Sequence, residues 1–396
     1  MSGAGTPVIV GAARTPIGAF LGDLKDIPAP ELGAHAIEAA VSETGVPKED
    51  FDEVIMGCVL SAGLGQAPAR QAALGAGLSN ATGCVTVNKM CGSGMKAIML
   101  AHDQLVAGSA GILVAGGMES MSNAPYLLDR ARTGYRMGHR KVIDHMLFDG
   151  LEDAYEKGRL MGSFAEDCAT SYQFTREMQD EFALESLMRA QRASADGSFS
   201  KEIALITVRS GKAARVISID ELPAKANASE ISSLKPAFRE GGTITAANAS
   251  AISDGAAALA LMRLDRAESL GVKPRAAIVG QATHASAPSQ FSTAPIGAIR
   301  KLMDRLSWRL QDVDLFEINE AFAVVVMAAL RDLDIPRDKT NVHGGACALG
   351  HPLGASGARI VVTLLTALEK YDLRRGVAAL CIGGGEATAI AIERMD

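Results

Sequence analysis

The sequence predicts a layered α/β fold, and three observations carry that expectation. Apolar residues make up 48% of the chain while aromatics are only 4% and glycines number 41, a balance that favours closely packed helix-on-sheet layers over an aromatic-rich sandwich. Short apolar runs alternate with amphipathic stretches along most of the chain. The same strand–loop–helix–strand rhythm then returns in the second half. With 396 residues there is ample length for a large buried core in two or three domains.

Taken in order, "PVIVGAARTPIG" reads as a buried strand ending in Gly/Pro signals, and "APELGAHAIEAAVSETG" as a helix stopped at Gly45. "FDEVIMGCVL" and "CVTVNKM" are strands, "APARQAALGAGL" and "GMKAIMLAHDQLVAG" helices, and "AGILVAGGMES" returns as a strand. From about Ser122 to Ser250 the chain gains Arg, Lys, His and Met and loses strand signals; one clear helix stands out, "TREMQDEFALESLMRAQRA". Such an excursion suits loops and substrate contacts. The alternation resumes at "DGAAALALMRL" and runs through "PRAAIVGQATH", "DVDLFEINEAFAVVVMAAL" and "GARIVVTLLTALEKY" to "VAALCIGGGEATAIAIERM". Two polar loops, "VNKMCGSG" and "NVHGGACALGHPLGASG", occupy matching places before a helix in each half. This pattern fits two related sheet units facing one another, with a cleft between them.

A net charge of −6 and a pI near 5.7 argue against a general grip on nucleic acid or an anionic membrane. The six cysteines show no Cys-x-x-Cys pairing and no nearby Cys/His quartet, so no metal site is expected. The first residues lack a signal-peptide pattern, and no apolar run reaches membrane-spanning length. The expectation is a cytoplasmic protein with reduced thiols.

Four places bear on chemistry. Cys91 lies where a strand meets a glycine-rich turn that opens a helix, where free N–H groups favour a thiolate; a small core cysteine is an equal reading of that turn alone. His351, held between glycine and proline in the matching loop of the second half, points to a general base for that thiol over a merely structural histidine. Cys381 precedes Gly383, Gly384 and Gly385, so its thiol and the neighbouring N–H groups are open to a reacting centre, although a buried strand-end cysteine is the plainer reading. Asn319 and Glu320 interrupt an apolar stretch, where a buried amide needs hydrogen bonds or acts as a helix cap. The glycine spacings of nucleotide-phosphate loops are absent.

In order and spacing, "NKMCGSGMKA", "GGMESMSNAPY", "NASAISDGAA", "NEAFA", "GGACALGHPLGASGARI" and "CIGGGEA" closely resemble the thiolase family of acetyl-CoA C-acyltransferases, across essentially the whole chain. The resemblance implies two similar α/β halves in a five-layered αβαβα arrangement plus a loop domain that receives coenzyme A. The expected halves are residues 1–121 with 251–272 and residues 273–396, and the loop domain is 122–250. It implies Cys91 as nucleophile, His351 as its base, Cys381 as a second acid/base, and two oxyanion holes. One hole comprises His351 with a water held by Asn319; the other comprises the N–H groups of Cys91 and Gly383. For coenzyme A, a cosubstrate and not a permanent cofactor, the matching residues are Ser250, Met161, Leu151 and Phe322, with Lys225 as a phosphate partner. Leu160 stands where many thiolases have histidine, "FSTAP" replaces a Met-Gly version, and His343 replaces Asn or Ser. A homodimer or homotetramer is expected. A decarboxylating ketoacyl synthase would want a histidine at Cys381, an idle acyl-CoA-binding relative would not need the full constellation, and a cysteine hydrolase would not need free coenzyme A.

Overall fold

The computed structural model describes residues 5–210 and 213–395. The principal strands are β1 (Pro7–Arg14), β2 (Glu53–Gly57), β3 (Gly83–Val87), β4 (Ile112–Ser120), β5 (Ser253–Arg263), β6 (Ala276–Ala285), β7 (Leu315–Ile318), β8 (Arg375–Ile382) and β9 (Glu386–Arg394). They form one hydrogen-bonded path, β7-β8-β9-β6-β1-β5-β4-β2-β3. The principal helices are α1 (Ala29–Ser42), α2 (Pro68–Gly75), α3 (Ser93–Ala107), α4 (Met161–Tyr172), α5 (Arg176–Ala195), α6 (Ala294–Leu306), α7 (Ala323–Leu333) and α8 (Leu353–Lys370).

The repeated rhythm of the sequence becomes a repeated pairing scheme. In the first half β2 pairs β4 in parallel, then β4–β5 and β5–β1 are antiparallel. In the second, β7 pairs β8 in parallel, then β8–β9 and β9–β6 are antiparallel. Even the outer β2–β3 pairing has a remnant in the second half, a parallel bridge from Phe316 to Thr340. One feature differs from two separate sheets: β1 and β6 meet edge to edge at Val8–Ala277 and Ile9–Ala276, so the halves share a continuous sheet.

Alternation along the strands creates the layers. On β1, Val8 and Val10 join a core with α1 and α2, whereas Ile9 and Ala12 face α3 and α8. On β8, Ala378 and Leu380 face that same central layer, whereas Val377, Ala379 and Cys381 join a core with α6 and α7. Burial on both faces explains why these strands read as unbroken apolar runs. The result is five layers: α1/α2, sheet, α3/α8, sheet, α6/α7. Helix α8 is buried from Leu353 through Leu368, as a helix sandwiched between sheets must be.

The excursion before β5 holds more order than its sequence suggested. Besides α5, which starts on Thr175 accepting the Met178 N–H, it contains α4 and an Ile206–Ser210/Ala213–Ile217 hairpin. Buried Arg14 anchors it to β1, bonding Glu202 through Nε (2.6 Å) and Asp220 through both terminal nitrogens (2.7 and 2.9 Å). Among the described residues no helix is long and apolar enough to cross a membrane, and no group of three or more side chains is arranged to hold a metal.

Candidate active site

Helices α3 and α8 cross at their first turns, and that crossing brings two loops together. A Cβ on Gly94 would lie 2.9 Å from both Ala358 N and Gly354 O, and one on Gly357 would fall on the Met95 backbone. Only glycine allows this approach. The loop before α3 carries Cys91, and the loop before α8 carries His351.

The Cys91 loop is braced locally. Asn88 Oδ1 accepts the Met90 N–H (3.0 Å), while Ser93 Oγ accepts the Lys89 N–H (2.8 Å) and donates to Met90 O (2.6 Å). These bonds hold Met90 at φ +46°, a left-handed conformation that costs a non-glycine residue about 1–3 kcal/mol. From the other half, Lys89 is ion-paired to Glu386, and the Gly383 N–H points at the Cys91 sulfur, as does the N–H of Cys91 itself. Gly384 and Gly385 take φ of +92° and +86°, and a Cβ on Gly385 would meet Ala287 O at 2.5 Å.

His351 is buried, with its own N–H bonded to Ala251 O (3.0 Å). Its Nδ1 lies 2.5 Å from Ser356 Oγ, whose single proton goes to Pro352 O (2.9 Å). The hydroxyl therefore accepts from Nδ1–H, which fixes the tautomer and leaves the Nε2 lone pair free. Nε2 has no hydrogen-bond partner in the protein. Burial, with the Arg359 charge adding to it, lowers the imidazole to about 3, so it rests neutral. The thiol moves the opposite way from the sequence expectation of a stabilised thiolate. Burial pushes Cys91 up to about 11, against the lowering by the Gly383 and Cys91 N–H groups and with Glu119 adding to the rise. Thiol and neutral imidazole are the resting pair. Burial likewise drives the Cys381 thiol well above its ordinary value, with Cys91 nearby contributing.

Cys91, His351, Cys381 and Gly383 all line one cleft of ≈ 870 Å³. Ser250, Met161, Leu151 and Phe322 line it too. A short pairing puts Ser250 beside the helix α7 entry: Ser250 N–H bonds Ala321 O (2.9 Å) and Ala323 N–H bonds Asn248 O (2.8 Å). Phe322 packs edge-on against Phe238 and Phe291, at centroid distances of 6.0 and 6.3 Å. Asn319 is buried and is not among the residues that line the cleft, and neither of its side-chain polar atoms has a hydrogen-bond partner in the protein. Lys225 is not brought to the cleft. Its ammonium points to Glu221 (2.6 Å) and its side chain is 64% exposed, while Leu222 on the same short helix reaches the wall.

The comparisons with known proteins bear on the whole chain. Residues 7–265 match the thiolase N-terminal domain and residues 272–394 the thiolase C-terminal domain. The chain belongs to the thiolase family. It is 49% identical to a probable acetyl-CoA acetyltransferase of Dictyostelium discoideum, over 98% of this chain and 94% of that protein. It is 48% identical to an acetyl-CoA acetyltransferase of Cupriavidus necator, over 98% and 99%. The crystal structure of the Bacillus anthracis acetyl-CoA acetyltransferase superposes with a TM-score of 0.96 at 41% identity, covering 98% of this chain and 99% of that one.

The sequence reading passed over two supporting residues of this thiolase, Ser356 and Glu119, and noted a third, Glu320, without its partners. Ser356 sets the His351 tautomer, and its signal was a hydroxyl in the first turn of the helix that follows the His351 loop. Glu119 accepts N–H groups of Val59 and Leu60 (both 3.0 Å) and Gly354 (2.7 Å), tying β4 to the start of α8. Glu320 accepts from Ser186 (2.7 Å), Asn341 (2.8 Å) and the Cys347 N–H (3.2 Å), bracing the loop that leads to His351. Both carboxylates sat within recognised motifs, but no local pattern showed what they bond.

Proposed function

We propose that this thiolase transfers acyl groups between coenzyme A and carbon through an acyl-Cys91 intermediate, cleaving 3-ketoacyl-CoA or condensing acetyl-CoA. The observation that carries the reading is the convergence of Cys91 and His351 from opposite halves, with Cys381 and Gly383, on one cleft. In the cleaving direction Cys91 sulfur attacks the 3-keto carbon as its proton passes to His351 Nε2. The Cα–Cβ bond breaks, its electrons leave as the acetyl-CoA enolate, and the Cys381 thiol protonates Cα. Coenzyme A then gives its thiol proton to the Cys381 thiolate and attacks the acyl group; departing Cys91 recovers its proton from His351. Condensation is the reverse.

A thiol near 11 beside an imidazole near 3 makes a preformed ion pair costly, so proton transfer accompanies attack. The N–H groups of Cys91 and Gly383 hold the sulfur at rest and are free for the thioester oxygen once the sulfur is acylated; a lost donor of this kind costs on the order of 100–1,000-fold in rate. Unpartnered Asn319 and His351 Nε2 suit a second hole completed by water. Ser250, Met161, Leu151 and Phe322 suit the pantetheine arm, whereas the paired state of Lys225 does not favour it as a phosphate contact. We also propose the division into residues 1–121 with 251–272, 122–250 and 273–396, supported by the two equivalent pairing schemes that flank the excursion.

Intact-protein mass spectrometry after incubation with acetyl-CoA, followed by peptide mapping, tests the reading. An acetyl adduct on Cys91, discharged by free coenzyme A, is expected. An adduct elsewhere, or none, overturns it.

A further inference from the structure

Two turns from opposite halves carry the N–H groups proposed above for the thioester oxygen, that of Cys91 just before α3 and that of Gly383 between β8 and β9. Among the described residues no backbone-to-backbone hydrogen bond joins these turns to each other. Each is braced within its own half. Ser93 Oγ accepts the Lys89 N–H (2.8 Å), and Lys89 O accepts the Gly92 N–H (3.0 Å). The other turn is closed by the Ile382–Glu386 strand pair and held by Gly385 O, which accepts the Ser286 N–H (2.8 Å) and hydroxyl (3.1 Å). Side chains make the crossing between the turns. Ile382 packs on Gly92 so closely that a Cβ there would lie 2.3 Å from Ile382 Cδ1. Lys89 Nζ, on the residue two before Cys91, is ion-paired to Glu386, three residues after Gly383. The paired side chains are 22% and 36% exposed, and neither lines the cleft. A partly exposed pair of this kind adds little to overall stability, so its place beside the nucleophile calls for another account.

We propose that Lys89 and Glu386 are positioning residues, a charged clamp between the two halves that sets the separation of the Cys91 and Gly383 N–H groups and so the fit of the oxyanion hole those groups form. The inference rests on the reading of Cys91 as the nucleophile and of the two N–H groups as donors to its thioester. Both ends of the clamp are anchored. The Lys89 backbone is bonded to Ser93 and Gly92, and Glu386 opens β9 with its backbone paired to Ile382 and Ala285. A pull between the side chains therefore reaches both turns and is not absorbed by a loose loop. The neighbouring Ile382–Gly92 contact is apolar and has no preferred direction, whereas an ammonium–carboxylate contact is directional. Gly384 and Gly385, at φ of +92° and +86°, leave their turn without side chains of its own to reach across. Donors aimed at developing charge act through placement, and a misplacement of about 1 Å can cost roughly 100-fold in rate.

The test is rapid-quench mass spectrometry of Cys91 acetylation in the full-length enzyme, over a range of acetyl-CoA concentrations, for wild type, Lys89→Met, Glu386→Gln, the double variant and Lys89→Arg. Each neutralising single variant is expected to lower the limiting acetylation rate about tenfold, less than the loss of a whole donor, with the half-saturating acetyl-CoA concentration unchanged. The double variant is expected to be no slower than the singles, because one contact cannot be broken twice. Lys89→Arg, which keeps the charge, is expected to stay close to wild type. Urea unfolding midpoints of all four are expected to match wild type, which separates placement of the donors from a merely structural role. Wild-type rates in both singles, losses that multiply in the double variant, a loss confined to the half-saturating concentration, or a Lys89→Arg as slow as Lys89→Met overturns the proposal. If wild type is acetylated elsewhere than at Cys91, the reading of the nucleophile falls and the clamp falls with it. If wild type acetylates Cys91 and the variants keep its rate, the clamp alone falls.

Discussion

The hydrogen bond from His351 Nδ1 to Ser356 does more than orient a ring. Because the serine proton is committed to Pro352 O, one tautomer is selected, and Nε2 is the nitrogen left to take a proton. Ser356→Ala should lower kcat about 10–100-fold with KM little changed, since a misoriented base costs the transition state and not substrate binding. Steady-state kinetics of Ser356→Ala beside Ser356→Thr, which restores the hydroxyl, checks this; equal losses in both would assign the serine to packing alone. Cys381→Ala should still become acylated on Cys91 yet lose carbon–carbon bond formation, read by mass spectrometry and a condensation assay on the same sample. In the sequence Cys91 and Cys381 could each be read as a plain core cysteine, and it is the thiolase-like motifs around Cys91, His351 and Cys381 that single them out. The sequence did not reveal that the thiol rests protonated, since burial at that point depends on residues from the other half.

At the scale of elements, the decisive contact is between α3 and α8. Gly94 and Gly357 let two helix backbones touch, and the loops that carry Cys91 and His351 ride on those helix starts. Gly94→Ala would set a Cβ 2.9 Å from backbone atoms of α8, which cannot swing aside as a side chain can. A destabilisation of about 1–3 kcal/mol is expected, together with slower Cys91 acylation as the two loops move apart. Chemical denaturation and stopped-flow acylation on the same variant check both; full activity would show that the spacing tolerates a methyl group. Strand and helix positions were readable from periodicity, and α3 ends at Gly108 in the left-handed conformation expected of a helix-stopping glycine. Helix α8 begins at Leu353, directly after Pro352 at its N-cap, where the missing N–H costs nothing. Helix α4 carried too weak a pattern to stand out; the packing of Phe164 and Phe291 against one another fixes it instead.

Across the whole molecule, burial of two histidines links stability to pH. His343, enclosed by Phe199 and Tyr371, is lowered to about 4 by burial, and His351 to about 3. An unfolded chain protonates both near their ordinary 6.5. Between pH 6.5 and about 4 the unfolded state therefore binds more protons at these two sites, so their contribution to stability is full above that window and falls as the solution is acidified. His343→Asn should flatten the loss by about 1–3 kcal/mol at the acid end. Urea titrations of wild type and His343→Asn from pH 7.5 to 4.5 check the sign; a variant that loses as much stability as wild type on acidification would contradict it.

The chain by itself determined its alternation of strands and helices and the rhythm its two halves share, because those follow from local periodicity, while motifs a few residues long carried the likeness that pointed to Cys91, His351 and Cys381. Tertiary structure decided how the halves join at β1 and β6, which nitrogen of His351 is free, that Cys91 rests as a thiol, and that Lys225 turns away from the cleft. Each of these depends on groups brought together from distant parts of the sequence. Desolvation and hydrogen-bond partnership are properties of that assembled environment, and no short stretch of residues carries them.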